Sequence, residues 1–229
     1  MTMTERDLSR WTPRSRPTAD KLEGAWCRLE RLDPAGHGGD LYASAIAPGS
    51  DERFRYLPDS PPASREEFDG WLSKVAASPD PLYYAVIDRA TERAEGRQTL
   101  MRITPEYGVI EIGNILWGPA IARTRVATEA LYLFARYSFD DLGYRRFEWK
   151  CNAANAPSRR AAERFGFSFE GIFRKHMVVK GKNRDTAWYA MTDDDWPRIK
   201  VGMKRWLDAS NFDSSGRQKM SLKEATEAA

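Results

Sequence analysis

The stretch GVIEIGNILWGPAIARTRVATEAL, residues 108–131, decides the fold. Residues 108–117 form an apolar run of strand type, and residues 126–142 read as a helix too apolar to lie on a surface. Arg123 and Arg125 stand where one turns into the other. The first backbone N–H groups of a helix lack intrahelical partners and carry the positive end of its dipole. An anion bound there is favoured, and a nearby guanidinium adds a bidentate contact. A solvent-exposed turn whose arginines pair with Glu129 or other surface carboxylates fits the same residues, and the local sequence does not separate the two readings.

Upstream, residues 25–32 (AWCRLERL) alternate as a strand, and Asp33-Pro34 supplies an N-cap and first-turn proline for a helix over 35–46. Residues 47–62 are loop-rich, and Ser64 with Glu67 makes a capping box for a helix through 76. LYYAVID (82–88), RQTLMRIT (97–104) and 108–117 follow with short connections, as in an antiparallel meander. Downstream come a strand over 144–152, a short helix over 156–165 closed by Gly166, a hairpin over 167–191 and a final helix to 207. The long helix crosses over between 108–117 and 144–152, which makes that pair parallel in an otherwise antiparallel sheet. The fold class is therefore α/β with a mixed sheet. A polar N-terminal extension occupies 1–24, a single domain 25–208 and a disordered tail 209–229.

Composition narrows the function classes. With 229 residues, 41% hydrophobic and eight Trp, the chain can bury a core without disulfides or metal, and no metal site is expected. The 36 basic and 33 acidic residues nearly balance, so bulk charge gives nucleic-acid binding no support. Two cysteines, Cys27 and Cys151, fit a reducing cytoplasm. The polar N-terminus is no secretory signal, and no run approaches a membrane span.

EIGNILW (111–117), ARTRVATEAL (122–131), the long segment from LGYRRFEWKCN through FRKHM (142–177) and KGKNRDTAWYAM (180–191) together resemble the GNAT superfamily of acyl-CoA N-acyltransferases. Within it, they look most like the branch that acetylates ribosomal-protein alanine. The resemblance implies a mostly antiparallel mixed sheet with flanking helices and a splayed parallel strand pair. It implies acetyl-CoA as co-substrate and a primary amine of a small molecule or protein N-terminus as acceptor. It gives the junction an anion, the pyrophosphate of coenzyme A, held by Arg123, Thr124, Arg125, Val126, Ala127 and Thr128. Arg125 stands where the family usually has glycine, a substitution expected to replace amide contacts with a guanidinium. Asn114, Ile115 and Leu116, on the splayed strand, would hold the pantetheine through free backbone groups, with Asn155, Ser158 and Arg164 also on the cofactor side.

Direct transfer needs a base for the ammonium and an acid for the departing thiolate. Glu111 and Asp185 are the candidate bases. Ala162 occupies the position where many relatives carry a tyrosine as general acid, and the resemblance places Ser158 towards the sulfur as the candidate acid instead. His176 and His37 read as structural or solvent-facing, and Cys151 as a small packed hydrophobe rather than a nucleophile. Asn155 serves equally as an N-cap. The first two helices, the loop from 53 to 62 and the final hairpin would build the acceptor pocket, with Phe54, Tyr56, Trp117 and Trp188 in reach. A non-catalytic CoA-binding or interaction protein on the same fold is the alternative. A third reading takes Arg159, Arg160 and Arg164 as a nucleic-acid patch, against the near-neutral charge. A homodimer stays open.

Overall fold

A computed structural model describes residues 7–229. The first six residues of the expected N-terminal extension lie outside the described residues. Eight strands form one sheet: β1 (Lys21–Glu23), β2 (Cys27–Arg31), β3 (Leu82–Asp88), β4 (Arg93–Thr104), β5 (Val109–Trp117), β6 (Arg146–Asn152), β7 (Ser168–Val179) and β8 (Lys182–Thr192). Their spatial order is β1-β2-β3-β4-β5-β6-β8-β7, and among the described residues β5–β6 is the one parallel pair. The short edge strand β1 was not foreseen.

Helices cover both faces. α1 (Pro34–Ile46), the one-turn α2 (Ser50–Phe54) and α3 (Arg65–Ala76) lie on one side. α4 (Arg125–Arg136), α5 (Ala156–Arg164), α6 (Trp196–Leu207) and α7 (Leu222–Glu227) lie on the other. Strand alternation divides the core accordingly: Tyr84 and Val86 of β3 pack on the α4 side, Tyr83 and Ala85 on the α1–α3 side. α4 is buried from Val126 to Ala135, as its composition requires, and passes into a π turn over Tyr137–Asp141.

Two expectations change. Ser64 Oγ accepts from Glu67 N at 3.1 Å, but the return arm of Glu67 reaches Ala63 N instead of closing a capping box. Residues 209–229 are folded rather than disordered. Phe212 meets the rings of Trp26 and Trp206, the buried Asn211 bonds to Trp206 O and Met220 N, and α7 buries Leu222 and Ala225. A few anchors in a polar segment suffice because Gly202 leaves room for α7: a Cβ there would come within 2.4 Å of Thr226 Oγ1.

Candidate functional site

β5 and β6 pair only from Val109↔Arg146 to Ile112↔Trp149, and from Gly113 onward they diverge. The cause lies on the other edge of β5. Gly113 faces Thr99 and Leu116 faces Arg97, so Asn114 and Ile115 together oppose Gln98 as a bulge. Asn114 takes φ +47°, a left-handed conformation that asparagine tolerates better than most residues, and its Nδ2 donates to Tyr83 Oη. The bulge turns β5 away from β6 and opens a cleft of about 520 Å³ between them. Asn114, Ile115 and Leu116 form one wall, and Trp149, Cys151, Asn155 and Ser158 the other.

The cleft runs to the start of α4. Thr124 is the N-cap: its Oγ1 accepts from Val126 N and donates to Ile121 O. Thr128 N reaches Thr124 O, and the amides of Arg125 and Ala127 have no partner among the described residues. Val126, Ala127 and Thr128 are buried, so their side chains face the core and only backbone groups reach the junction. Thr128 Oγ1 also accepts from Arg164, which fixes that arginine beside the helix.

The two junction arginines part company. Arg123 lines the cleft, takes φ +65° and has no hydrogen-bond or ion-pair partner among the described residues. Arg125 instead lies 3.6 Å from the Trp26 ring centroid and 5.3 Å from that of Phe212, outside the cleft lining. The expected role of Arg125 in replacing amide contacts is therefore corrected. It is the first helical residue, where no positive φ is demanded, and two aromatic faces from distant parts of the chain hold its guanidinium. Neither arginine pairs with Glu129, whose carboxylate accepts the N–H groups of Ala25, Trp26 and Cys27 at 2.8, 2.6 and 2.7 Å.

On the wall formed by β6 and α5, Asn155 Oδ1 caps α5 through Ser158 N, which leaves Nδ2 for the cleft. Ser158 Oγ accepts from Trp149 Nε1 at 3.0 Å, so its own O–H acts as a donor, with the Cys151 thiol beside it as one acceptor. Cys151 sits beside it, and burial pushes its thiol up, against any nucleophilic role.

The acceptor face carries charge. Glu111 alternates with the core residues Ile110 and Ile112 and so faces away from α4. Its Oε2 accepts from Arg102 at 3.0 Å and Lys150 Nζ at 2.9 Å, while Oε1 has no partner among the described residues. Lys150 also bonds Glu148 at 2.5 Å and lies 3.9 Å from the Trp188 ring centroid. Burial alone would raise the Glu148 carboxyl, but Lys150 and Arg146 hold it below the ordinary range.

Asp185, the other candidate base, does not reach the cleft. The Lys175 backbone N–H and Asn183 Nδ2 bind it at the hairpin and hold its carboxyl below the usual range, so it works as a strand-bulge acceptor. The register shift between Phe173 and Met177 puts that N–H opposite it. His176 bonds Thr186 Oγ1, and His37 bridges Asp33 N and Glu30, both as structural groups. The arginines 159, 160 and 164 form no common patch: Arg159 is tied to Tyr189 Oη and Arg164 to Thr128.

A second cavity of about 290 Å³ lies between α1, α3 and the loop at 59–62, and shares Leu116 with the cleft. Phe54, Phe68 and Trp71 line it, and the buried Arg97 crosses its floor, ion-paired with Asp59 and 4.5 Å from the Trp71 ring centroid. Tyr56 and Trp117 line the cleft itself. Sequence reasoning did not anticipate Lys150, Arg102, Arg97 or Arg184 here. Alternation along β5 and β6 puts Glu148 and Lys150 on the face of Glu111 and could have flagged Lys150; Arg102, Arg97 and Arg184 carry no such signal.

Residues 27–168 match the family described as the acetyltransferase (GNAT) domain. A GCN5-related N-acetyltransferase from Brucella melitensis is 54% identical, with a TM-score of 0.95 over 96% of this chain and 100% of that one. A probable GNAT acetyltransferase from Chromobacterium violaceum is 36% identical, with a TM-score of 0.78 over 86% and 98%. An uncharacterised N-acetyltransferase from Bacillus subtilis (strain 168) is 28% identical over 86 residues, 38% of this chain. The matched stretch spans 50% of that relative's length. Among the described residues no helix is long and apolar enough to cross a membrane.

Proposed function

The chain belongs to the GNAT acetyltransferase family, and from that premise we propose that it moves an acetyl or other short acyl group from coenzyme A directly to a primary amine. The observation that carries this reading is the β5–β6 cleft, which leads from the bulge at Asn114 to the start of α4 and the unpartnered Arg123. A pyrophosphate would take the Arg125 and Ala127 amides and the Arg123 guanidinium. The pantetheine would lie along Asn114, Ile115 and Leu116, meeting Asn155 Nδ2 on the opposite wall. Arg164 would support the pyrophosphate end through Thr128.

The amine approaches from the face that carries Glu111. Its nitrogen forms a C–N bond to the thioester carbonyl while the C–S bond breaks, and a backbone N–H near Leu116 stabilises the carbonyl oxygen. The ammonium gives up two protons: one leaves through Glu111 Oε1 to solvent, and the other passes to Ser158 as Ser158 gives its own proton to the departing coenzyme sulfur. The products are an amide, the thiol form of CoA and one proton. No acyl-enzyme is needed, and the chemistry suits a cytoplasmic protein whose two cysteines are free and buried.

Titration calorimetry with acetyl-CoA tests the site. Arg123→Ala is expected to weaken binding about tenfold or more, the scale of a lost charge-assisted contact, and Arg125→Ala to leave it within about twofold. Thiol release with a panel of primary amines tests the chemistry. An absence of binding at millimolar acetyl-CoA overturns the reading. Tight binding without turnover of any amine favours the non-catalytic CoA-binding alternative.

A further inference from the structure

The acceptor side of the cleft contains one charge that its surroundings leave unanswered. Arg102 and Lys150 pair with Glu111, Lys150 and Arg146 with Glu148, and Arg146 with Glu170. Arg184 projects from β8 into the same cleft, and its side chain has no ion pair and no hydrogen bond among the described residues. Its Nε is fully buried and unsatisfied. The residue is half-buried, Glu111 and Arg102 are its charged neighbours, and desolvation pulls its pKa below the ordinary arginine value. A desolvated guanidinium with no anion hydrogen-bonded to it is costly, and its planar fork matches a carboxylate.

Arg184 lies on the side from which the amine must come, and Glu111 Oε1 is the neighbouring atom free to meet an ammonium. We propose that the acceptor is a small amine that also bears a carboxylate, as an amino acid does, with the carboxylate on Arg184 and the amine at Glu111 Oε1. The surroundings favour a small molecule. Tyr56 Oη donates to Ala154 O, and Lys180 Nζ donates to Phe54 O, so the loop and hairpin are both tied down around the acceptor side. The inference rests on the acyltransfer reading above and adds the acceptor class. The bond changes are unchanged: the amine nitrogen is acylated, CoA leaves as the thiol, and the carboxylate is a spectator held by Arg184.

The test uses the full chain, acetyl-CoA and matched acceptors: amino acids with their carboxylates free, the same compounds as carboxamides, and alkylamines of equal length. The carboxylates are expected to show kcat/KM at least tenfold above the carboxamides, carried mainly by KM. In Arg184→Gln that ratio is expected to fall towards one, and in Arg184→Lys to stay between the two. Because the wild-type ratio needs no variant, a poorly folded Arg184→Gln leaves the proposal exposed to refutation. Acetyl-CoA binding with equal turnover of carboxylates and carboxamides overturns the acceptor proposal and leaves the acyltransferase reading standing. A preference for succinyl-CoA over acetyl-CoA that depends on Arg184 places the anion on the donor and overturns it. So does a preference for peptide N-termini over free amino acids. No binding of acetyl-CoA removes both readings.

Discussion

Glu129 and Glu111 are equally buried, at 4% and 3% exposure, yet the molecule treats them in opposite ways. At the corner of α4 and β2, Glu129 spends both oxygens on three backbone N–H groups, with Gly24 leaving the room its carboxylate fills. At the floor of the cleft, Glu111 leans one oxygen on two side-chain cations and keeps the other uncommitted. Backbone donors cannot rotate away, so the first carboxylate is a fixed rivet between helix and strand. Side-chain donors can rearrange around a substrate, so the second is held in place and still available. Burial alone therefore does not tell a structural acid from a reactive one; the identity of the donors does.

Removing the rivet has the larger expected effect. Glu129→Ala removes the acceptor of three N–H groups, that of Cys27 buried and those of Ala25 and Trp26 partly so, and with each worth about 1–3 kcal/mol a loss of about 3–5 kcal/mol is expected. Urea unfolding measures it, and acetyl-CoA affinity of the folded fraction should barely change. Lys150→Met tests the other site. Glu111 keeps Arg102 and Glu148 keeps Arg146, so the loss is expected to be smaller than for a fully broken buried pair, about 2–3 kcal/mol. If Lys150→Met destabilises the chain more than Glu129→Ala, the distinction between backbone and side-chain donors fails.

The sequence disclosed one of these regions better than the other. The parallel pairing of β5 and β6 was legible because a strand, an apolar crossover helix and a second strand leave it little choice; their splay was implied by the family resemblance, and the face of Glu111 hung on the register that the structure supplies. The fate of Arg125 was hidden: Trp26 and Phe212, from near the two ends of the chain, have no local signal that they will meet at the start of α4. Asp185 misled for a similar reason, since its partner Lys175 N depends on an irregular register across the β7–β8 hairpin. The tail at 209–229 looked disordered because its few anchors, Phe212, Leu222 and Ala225, are scattered among polar residues and matter only against α6 and Trp26. Acidic residues could be read from periodicity, but what satisfies them could not.

The smallest expected effect concerns pH, and it sharpens the account of the cleft floor. Glu148 is buried, which alone would raise its carboxyl, yet Lys150 and Arg146 leave it below the ordinary value. In the window between the folded and unfolded pKa values, the unfolded chain therefore binds more protons than the folded one. Stability from this group is fully present above the unfolded value, about 4.3, and is lost as pH falls through the lower folded value. Glu148→Gln keeps the shape and removes the titration. Urea midpoints from about pH 7 down to about pH 3.5 should show wild type above the variant at neutral pH, with the gap closing below about pH 5. A gap that stays constant across that range would mean that the two cations are not what holds Glu148 ionised. The floor of the cleft would then owe its order to packing against Trp188 rather than to charge.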